Sequence, residues 1–431
     1  MTTEVPAGDF GGKKERRPAG GGASEQVHPR HVVLGVCGSI AAYKAVELCR
    51  QLVELGLHVA PVMTADAARF IGPVTLSALA SEPVHDSLWS DADSIPHTAL
   101  ARSADLVVVA PATATLVAKY AAGIADDLLS ATLLATRAPV VVCPAMHTEM
   151  WEHPATVDNV ATLRRRGVTL VEPGVGRLAG GDEGAGRLAD VEEILAAVDR
   201  LFSPQDLAGC TVMVTAGGTR EPLDPVRFLG NRSSGKQGEA LAAEAAARGA
   251  RVTLVTAADR PAPPGVEVVR VETAEDMAAA VFARADEADV VLMAAAVADF
   301  RPVVAADAKL RKADGPPEVV LKPTTDILAD MGAHKRSGQV LVGFAAETGD
   351  LRRAAEDKLR RKNLDLIVAN DVTVEGAGFG HDTNAATILD AAGNWTDVPL
   401  TTKRGLARVV LDLVSDHVSR QGLGADSKGG T

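Results

Sequence analysis

Aromatic side chains are scarce: two Tyr, three Trp and eight Phe in 431 residues. Whatever cores the chain builds must be aliphatic, made from its Ala, Val and Leu. Cysteine is scarce too. Cys37, Cys49, Cys143 and Cys210 lie far apart, with no Cys-x-x-Cys and no histidine at ligand spacing. That pattern excludes a zinc cluster or a disulfide framework and fits a reducing compartment. No apolar run reaches the ~20 residues of a membrane span. Positive charge is outweighed, 44 Lys and Arg against 56 Asp and Glu, for a net charge of −12. A general binder of nucleic acid or anionic membrane is therefore excluded, while a small polyanion held by a local basic cluster is not. With 47% hydrophobic and 23% charged residues, the composition is neither disordered nor collagen-like. The length calls for roughly two to three domains. The first 30 residues carry Gly, Pro and a mixed run from Lys13 to Arg17, without the apolar segment of a signal peptide. Residues 1–30 are expected to be a disordered tail on a cytoplasmic protein.

What is present is a repeated alternation. Short β-rich runs stand at Val32–Val36, His58–Met63, Asp105–Ala110, Pro139–Cys143 and Val168–Val171. Helix-length segments separate them, one running from the Cys37-Gly38-Ser39 turn to Leu55 and the last from Val191 to about Leu201. Continuous apolar strands alternating with helices predict a parallel sheet covered on both faces. The grammar then restarts, with strands at Thr211–Thr215, Arg251–Thr256, Val266–Val271, Asp289–Ala294, Gln339–Phe344 and Asp365–Ala369. Helices are expected from Gly235 to Arg248 and from Thr402 to about Ser419. The expected fold is α/β: two Rossmann-like domains with mainly parallel sheets, over residues 31–201 and 210–419. A linker at 202–209 joins them, and 420–431 is a flexible tail.

In open α/β sheets ligands bind outside the carboxyl ends of the strands. The Gly38-Ser39 turn is such a place, where a helix N-terminus offers free amides and a positive dipole end. The dinucleotide fingerprint G-x-G-x-x-G is absent, Gly35 and Gly38 being spaced differently, which argues against the rival reading as a two-domain NAD(P)-dependent oxidoreductase. More informative are two strand exits, Ala110-Pro-Ala-Thr-Ala-Thr115 and Pro144-Ala-Met-His-Thr-Glu-Met-Trp151, with His97 eight residues before Asp105. Residues 31–200 resemble the flavin-dependent cysteine decarboxylase family. The resemblance implies a flavodoxin-like first domain with FMN against Gly38, Ser39, Thr64, Thr113, Ala114 and Thr115, and His97 as the catalytic histidine. It also implies the chemistry. The cysteine is oxidised to a thioaldehyde, which loses CO₂ as a β-keto acid does. The resulting enethiolate is then protonated and reduced.

Two positions depart from that family's pattern. Its strand-exit motif has Asn where this chain has His147, the residue expected to hold the substrate carboxylate. Histidine can still donate a hydrogen bond, and when protonated can pair with a carboxylate. The family's mobile flap also carries a cysteine that donates a proton to the enethiolate. The matching run here, Gly176-Arg-Leu-Ala-Gly-Gly-Asp-Glu-Gly-Ala-Gly-Arg187, has Gly180 at that place. Its glycines and Arg187 are kept, so a lid is expected with no assigned proton donor. Cys143 reads as a small buried hydrophobe.

In the second block, Asp224-Pro-Val-Arg-Phe-Leu-Gly-Asn-Arg-Ser-Ser-Gly-Lys-Gln237 stands out. It nearly spells a Walker A loop, but Gln237 replaces the Ser/Thr that would hold Mg²⁺ and the preceding strand ends too early. What survives is that Ser233, Ser234 and Gly235 open a helix, where amides and dipole suit phosphate. Ala294-Ala-Ala-Val-Ala-Asp299-Phe leaves one strand, with Lys309-Leu-Arg-Lys312 after it, and Gly343-Phe-Ala-Ala-Glu-Thr348 leaves another. Lys358 and Lys362, four apart, share a helix face. Basic segments behind strand ends in an acidic protein suggest a focused polyanion site.

These motifs resemble the phosphopantothenate–cysteine ligase family, in the bacterial form fused behind the decarboxylase, over about residues 31–418. The resemblance implies a bifunctional coenzyme A biosynthesis enzyme. CTP would activate 4′-phosphopantothenate as an acyl-cytidylate, L-cysteine would attack it, and the first domain would decarboxylate the product to 4′-phosphopantetheine. By the same resemblance Asn231 stabilises the acyl-cytidylate, Arg227 assists, and Lys309 meets the developing phosphate charge. The CTP pocket would draw on Ser233, Ser234 and Gly235, on Met293, Ala294, Ala295 and Asp299, and on Lys309. Thr325, Asp326, Ile327, Leu328, Phe344, Lys358 and Lys362 would complete it, with Asp299 in the ribose or Mg²⁺ region. Arg311 stands at the third position of the family's Lys-x-Lys-Lys pattern and keeps charge but not ammonium geometry. The implied assembly is a homo-oligomer, a dodecamer of trimeric decarboxylase and dimeric ligase contacts, without nucleic acid or membrane. A rival reading keeps the CTP-dependent ligase and makes the first domain a catalytically silent, flavin-binding regulatory unit.

Overall fold

The structure, a computed structural model, describes residues 29–89, 95–178, 180–311, 317–347, 351–371 and 380–421. The expected tails lie outside these residues except at their inner ends, and so do Lys312 and Thr348.

The first half runs β1 (His31–Val36), α1 (Ala42–Glu54), β2 (His58–Met63), α2 (Pro73–Ser77), α3 (Pro96–Ser103) and β3 (Leu106–Ala112). It continues with α4 (Ala114–Ala122), α5 (Leu128–Ala135), β4 (Val140–Pro144), α6 (Thr148–Trp151), α7 (Pro154–Arg165) and β5 (Thr169–Leu170). A hairpin, β6 (Gly174–Arg177) and β7 (Glu183–Arg187), and α8 (Val191–Phe202) close it. The main sheet has the order β2-β1-β3-β4-β5, with every pairing parallel. This is the flavodoxin-like order, whose direction of winding switches between β1 and β3. Alternate residues of one strand serve opposite faces. Val32, Leu34 and Val36 pack with Leu48 and Leu52 of α1 and Ile194 of α8. Val33 packs on the other face with Leu116 of α4, Leu129 of α5 and Leu163 of α7. Helices on both faces explain why all seven residues of β3 are buried and why the strand runs read as unbroken apolar stretches.

The second half opens with β8 (Thr211–Ala216), the hairpin β9 (Arg220–Pro222) and β10 (Phe228–Gly230), α9 (Lys236–Ala247), β11 (Arg251–Thr256) and β12 (Val266–Arg270). Then come α10 (Ala274–Phe282), β13 (Val290–Met293), the hairpin β14 (Phe300–Pro302) and β15 (Leu321–Pro323), and α11 (Ile327–Ala333). The rest is β16 (Val340–Glu347), α12 (Leu351–Arg361), β17 (Leu366–Asp371), β18 (Thr383–Asp390), β19 (Trp395–Thr402) and α13 (Lys403–Arg420). The sheet order is β12-β11-β8-β13-β16-β17-β18-β19. It is parallel up to β17, and β18 and β19 extend it antiparallel. Winding reverses between β8 and β13, which again marks a crevice. The antiparallel pair and the small hairpins are not among the strands expected from the sequence.

The stretch read as a linker is packed. Leu207 is fully buried in the second core, and Gln205 Nε2 donates to the carbonyls of Arg200 at 3.0 Å and Ala247 at 2.9 Å. No helix among the described residues is long and apolar enough to cross a membrane.

Candidate active sites at two carboxyl edges

β1 to β4 run the same way, so the loops that follow them gather at one edge and bring together Gly38, Ser39, Thr64, Thr113, Ala114, Thr115 and His147. Thr113 caps α4 by accepting from Leu116 N at 3.4 Å. Its neighbours Ala114 and Thr115 keep amides with no acceptor inside the helix. Thr64 N donates to Val36 O at 3.0 Å, lacing the loop after β2 onto the end of β1. A Cβ on Gly38 would collide with Asp66, so the glycine is needed first for that close passage of two loops. α3 runs into β3 through a short turn, which sets its first turn, with His97, about 12 Å back toward the same edge. The His97 ring is half-buried and its Nδ1 is buried with no hydrogen-bond partner among the described residues. A buried ring nitrogen without a partner fits a site built for a bound polar group.

The flap is the β6–β7 hairpin. Leu178 N donates to Asp182 O at 2.7 Å to close its turn. β7 lies across the exit of β4: Met146 N donates to Gly186 O at 3.0 Å and Thr148 Oγ1 to Ala185 O at 2.8 Å. Gly186 has φ 141°, and a Cβ there would strike the Met146 carbonyl. Arg187 and Lys44 of α1 both reach Asp190, at 2.7 and 3.2 Å, tying the base of the flap to the domain. His147, under the flap, places Nδ1 2.9 Å from Glu149 Oε2 and 3.5 Å from Asp182 Oδ2. Those carboxylates, Glu149 first, hold its pKa above the ordinary histidine value. Burial pushes the Cys37 thiol up to about 12 and raises Cys143 as well.

At the second edge a cleft of about 650 Å³ lies over the carboxyl ends of β13, β16 and β17. Ser233, Ser234 and Gly235 bound it at the start of α9. Met293, Ala294, Ala295 and Asp299 bound it after β13, and Thr325, Asp326, Ile327 and Leu328 at the start of α11. Phe344 of β16 and Lys358 and Lys362 of α12 or just beyond it complete that wall. Asn231 also lines the cleft, its Nδ2 donating to Val297 O at 2.9 Å. Burial opposes ionisation of Asp326, but Lys362 at 2.8 Å and the Ala329 amide hold its carboxyl below the usual range.

Two expected members stand elsewhere. Arg227 is not among the cleft-lining residues. Its guanidinium lies 2.6 Å from the buried Asp224 carboxylate and donates to Leu310 O at 2.5 Å. Lys309 is exposed and also off the cleft, on the loop that this bond anchors. Burial opposes the charge on Asp224, yet amides of Val226, Arg227 and Leu310 and the Arg227 side chain hold its pKa down to about 2.

The inner end of the cleft holds residues that sequence reasoning did not assign: Lys236, Gln237, Asn370, Asn384 and Lys403. Lys236 pairs with Asp382 at 2.6 Å. Burial, then Lys236, lowers the pKa of Lys403. Gln237 Oε1 and Asn370 Oδ1 are buried without partners among the described residues. Lys236 and Gln237 belong to the quoted motif. The others come from β17, β18 and α13, far along the chain, and carry no motif of their own.

Two family models match nearly the whole described chain: Flavoprotein over residues 22–203, and DNA/pantothenate metabolism flavoprotein C-terminal domain over 207–418. A coenzyme A biosynthesis bifunctional protein CoaBC from Mycobacterium tuberculosis is 51% identical over 403 residues, 90% of this chain and 96% of its own. The chain belongs to the CoaBC family. The Bacillus subtilis CoaBC is 44% identical over 393 residues, 90% of this chain and 97% of its own. A solved C-terminal domain of a CoaBC protein is 38% identical and covers 50% of this chain and 99% of that domain, with TM-score 0.44. Membership in the CoaBC family joins the two edges: one chain carries a flavoprotein sheet and a ligase-type sheet, each with a crevice where winding reverses.

Proposed function

We propose that the chain performs two consecutive steps of coenzyme A biosynthesis. The second sheet joins 4′-phosphopantothenate to L-cysteine with CTP, and the first decarboxylates the product. One observation carries this reading: the two winding reversals of one chain each carry an anion-suited helix start, and the second opens into a cleft of about 650 Å³.

In the cleft, the first amides of α9 and the ammonium groups of Lys358 and Lys362 suit triphosphate. Phosphoryl-centre displacement spreads negative charge, which positioned cations stabilise. Asn231, braced by Val297, faces the acyl-cytidylate. Asp299 would hold Mg²⁺, whose charge would offset that of the triphosphate, because Asp326 is engaged by Lys362. Arg227 acts as a positioning residue, through the loop that bears Lys309.

At the first edge, Ala114, Thr115 and the hydroxyls around them hold the FMN phosphate. Bound flavin supplies reversible two-electron exchange with the thiol-bearing carbon. His97 serves the substrate's proton at that edge and His147 grips its carboxylate, while the flap excludes water. Exposed Ile40, Tyr43, Val74, Trp89 and Ile95 favour contacts between copies here, in line with trimeric flavin domains within a dodecamer.

Incubation with 4′-phosphopantothenate, CTP, Mg²⁺ and cysteine, following amide and CO₂ together, tests the reading. Both products are expected. Amide without CO₂ would leave a ligase with a silent flavin domain, and neither product would remove the proposal.

A further inference from the structure

The overall change at the first site, R–NH–CH(COO⁻)–CH₂–SH + H⁺ → R–NH–CH₂–CH₂–SH + CO₂, exchanges a carboxylate for a hydrogen. One proton must therefore reach the carbon that loses CO₂. The thiols nearest this edge do not suit the task, since Cys37 and Cys143 are buried, with pKa values pushed up. The flap offers no side chain at Gly180.

His147 has the required attributes. Its Nδ1 is engaged by Glu149 from its own helix and Asp182 from the flap, the charged groups that face it among the described residues. Two carboxylates on one ring nitrogen favour the charged imidazole and fix its orientation. Nε2 then faces the flap backbone: a Cβ built on Gly180 would lie 3.0 Å from it. The missing side chain of position 180 and the ring of position 147 thus compete for one space, and the ring has it. A group that grips the substrate carboxylate also lies within a bond or two of the carbon from which CO₂ departs.

We propose that His147 is the general acid of the decarboxylase, delivering its Nε2 proton to the carbon vacated by CO₂. The N–H bond breaks as the C–H bond forms, the electron pair coming from the carbon–carbon double bond of the enethiolate. The product is a thioaldehyde, which takes back the two electrons removed from the cysteine at the outset, and neutral imidazole is recharged from solvent. The assignment rests on the decarboxylase reading above.

The test uses the full-length flavin-loaded protein with 4′-phosphopantothenoylcysteine. His147→Asn keeps a hydrogen-bond donor for the carboxylate but has no acidic proton. It is expected to release CO₂ in a single turnover and stall, with an ene-thiol lighter than the normal product by two hydrogens in the mass spectrum. Adding Gly180→Cys places a thiol about where Nε2 stood and is expected to restore the saturated thiol. In flavin-free protein, the His147 ring proton resonance is expected to titrate above ordinary histidine and to fall in Asp182→Asn. Saturated thiol from His147→Asn at the parent rate would overturn the assignment, as would loss of CO₂ release with flavin still bound. Absence of CO₂ from the parent protein would instead overturn the decarboxylase reading, and this one with it.

Discussion

Arg404 Nη2 lies 2.5 Å from Asp199 Oδ2 and so holds the last helix of the flavoprotein half against the first turn of α13. Its neighbour Lys403 lines the ligase cleft. Glu244 of α9, 2% exposed at its side chain, sits within 3.5 Å of both Arg404 and Arg408. Removing one partner from such a cluster leaves buried charge uncompensated. Arg404→Ala is expected to cost about 2–4 kcal/mol of stability, read as a lower urea midpoint, and Arg404→Lys much less. An unchanged midpoint would mean that this cluster does not hold the halves together.

Asp224 gives a pH signature. Its folded pKa, about 2, lies below the ordinary carboxylate value because amides and Arg227 outweigh its burial. A depressed carboxylate stabilises the fold above its unfolded pKa, and that contribution drains away as pH falls from roughly 4 toward 2. Asp224→Asn is expected to flatten the stability profile across that window. It should also slow ligation, because Leu310 and the adjoining Lys309 lose their anchor. A profile with the parent's acid slope would contradict this.

His97→Asn is expected to abolish CO₂ release while amide formation continues, since His97 serves only the first edge. Loss of both activities in a folded, flavin-binding variant would contradict separate sites.

Asn231→Asp puts a negative charge beside the proposed phosphate site and removes the donor to Val297 O. Nucleotide binding, followed by calorimetry, is expected to persist at reduced affinity, with amide formation down by roughly 10²-fold or more. Near-normal turnover would take Asn231 out of the mechanism.

Gly186→Ala would drive a methyl into the Met146 carbonyl at a backbone angle that suits glycine. The flap is expected to lift, with faster hydrogen exchange at Met146 N, slower decarboxylation and intact ligation. Unchanged exchange at Met146 would show that the hairpin does not depend on this contact.

The parallel strands are legible in the sequence because both faces are buried, so Val107–Val109 and Val290–Leu292 read as unbroken apolar runs. β18 and β19 are not. Of Asn384, Ala386 and Ile388, which alternate inward along β18, only the last has the branched character of a strand signal, and β19 buries Val398 alone. The cleft wall from Ser233 to Lys362 follows motifs at strand exits. Lys403, Asn370 and Asn384 reach the same space only through sheet order, which no local pattern encodes. Arg227 and Lys309 advertise charge but not whom they face, and a buried aspartate three residues away captures the arginine. His147 and Gly180 each stand out as departures, yet only the folded hairpin brings the ring and the bare backbone into contact.

Asn384 and Lys403 line the second cleft, so part of its wall is translated last. A chain ended after Asp371 keeps the whole front sheet but lacks Ile388, Val398, Leu406, Val410 and Leu411, which belong to the rear core. The two activities are thus expected to mature in sequence during synthesis, flavin chemistry first.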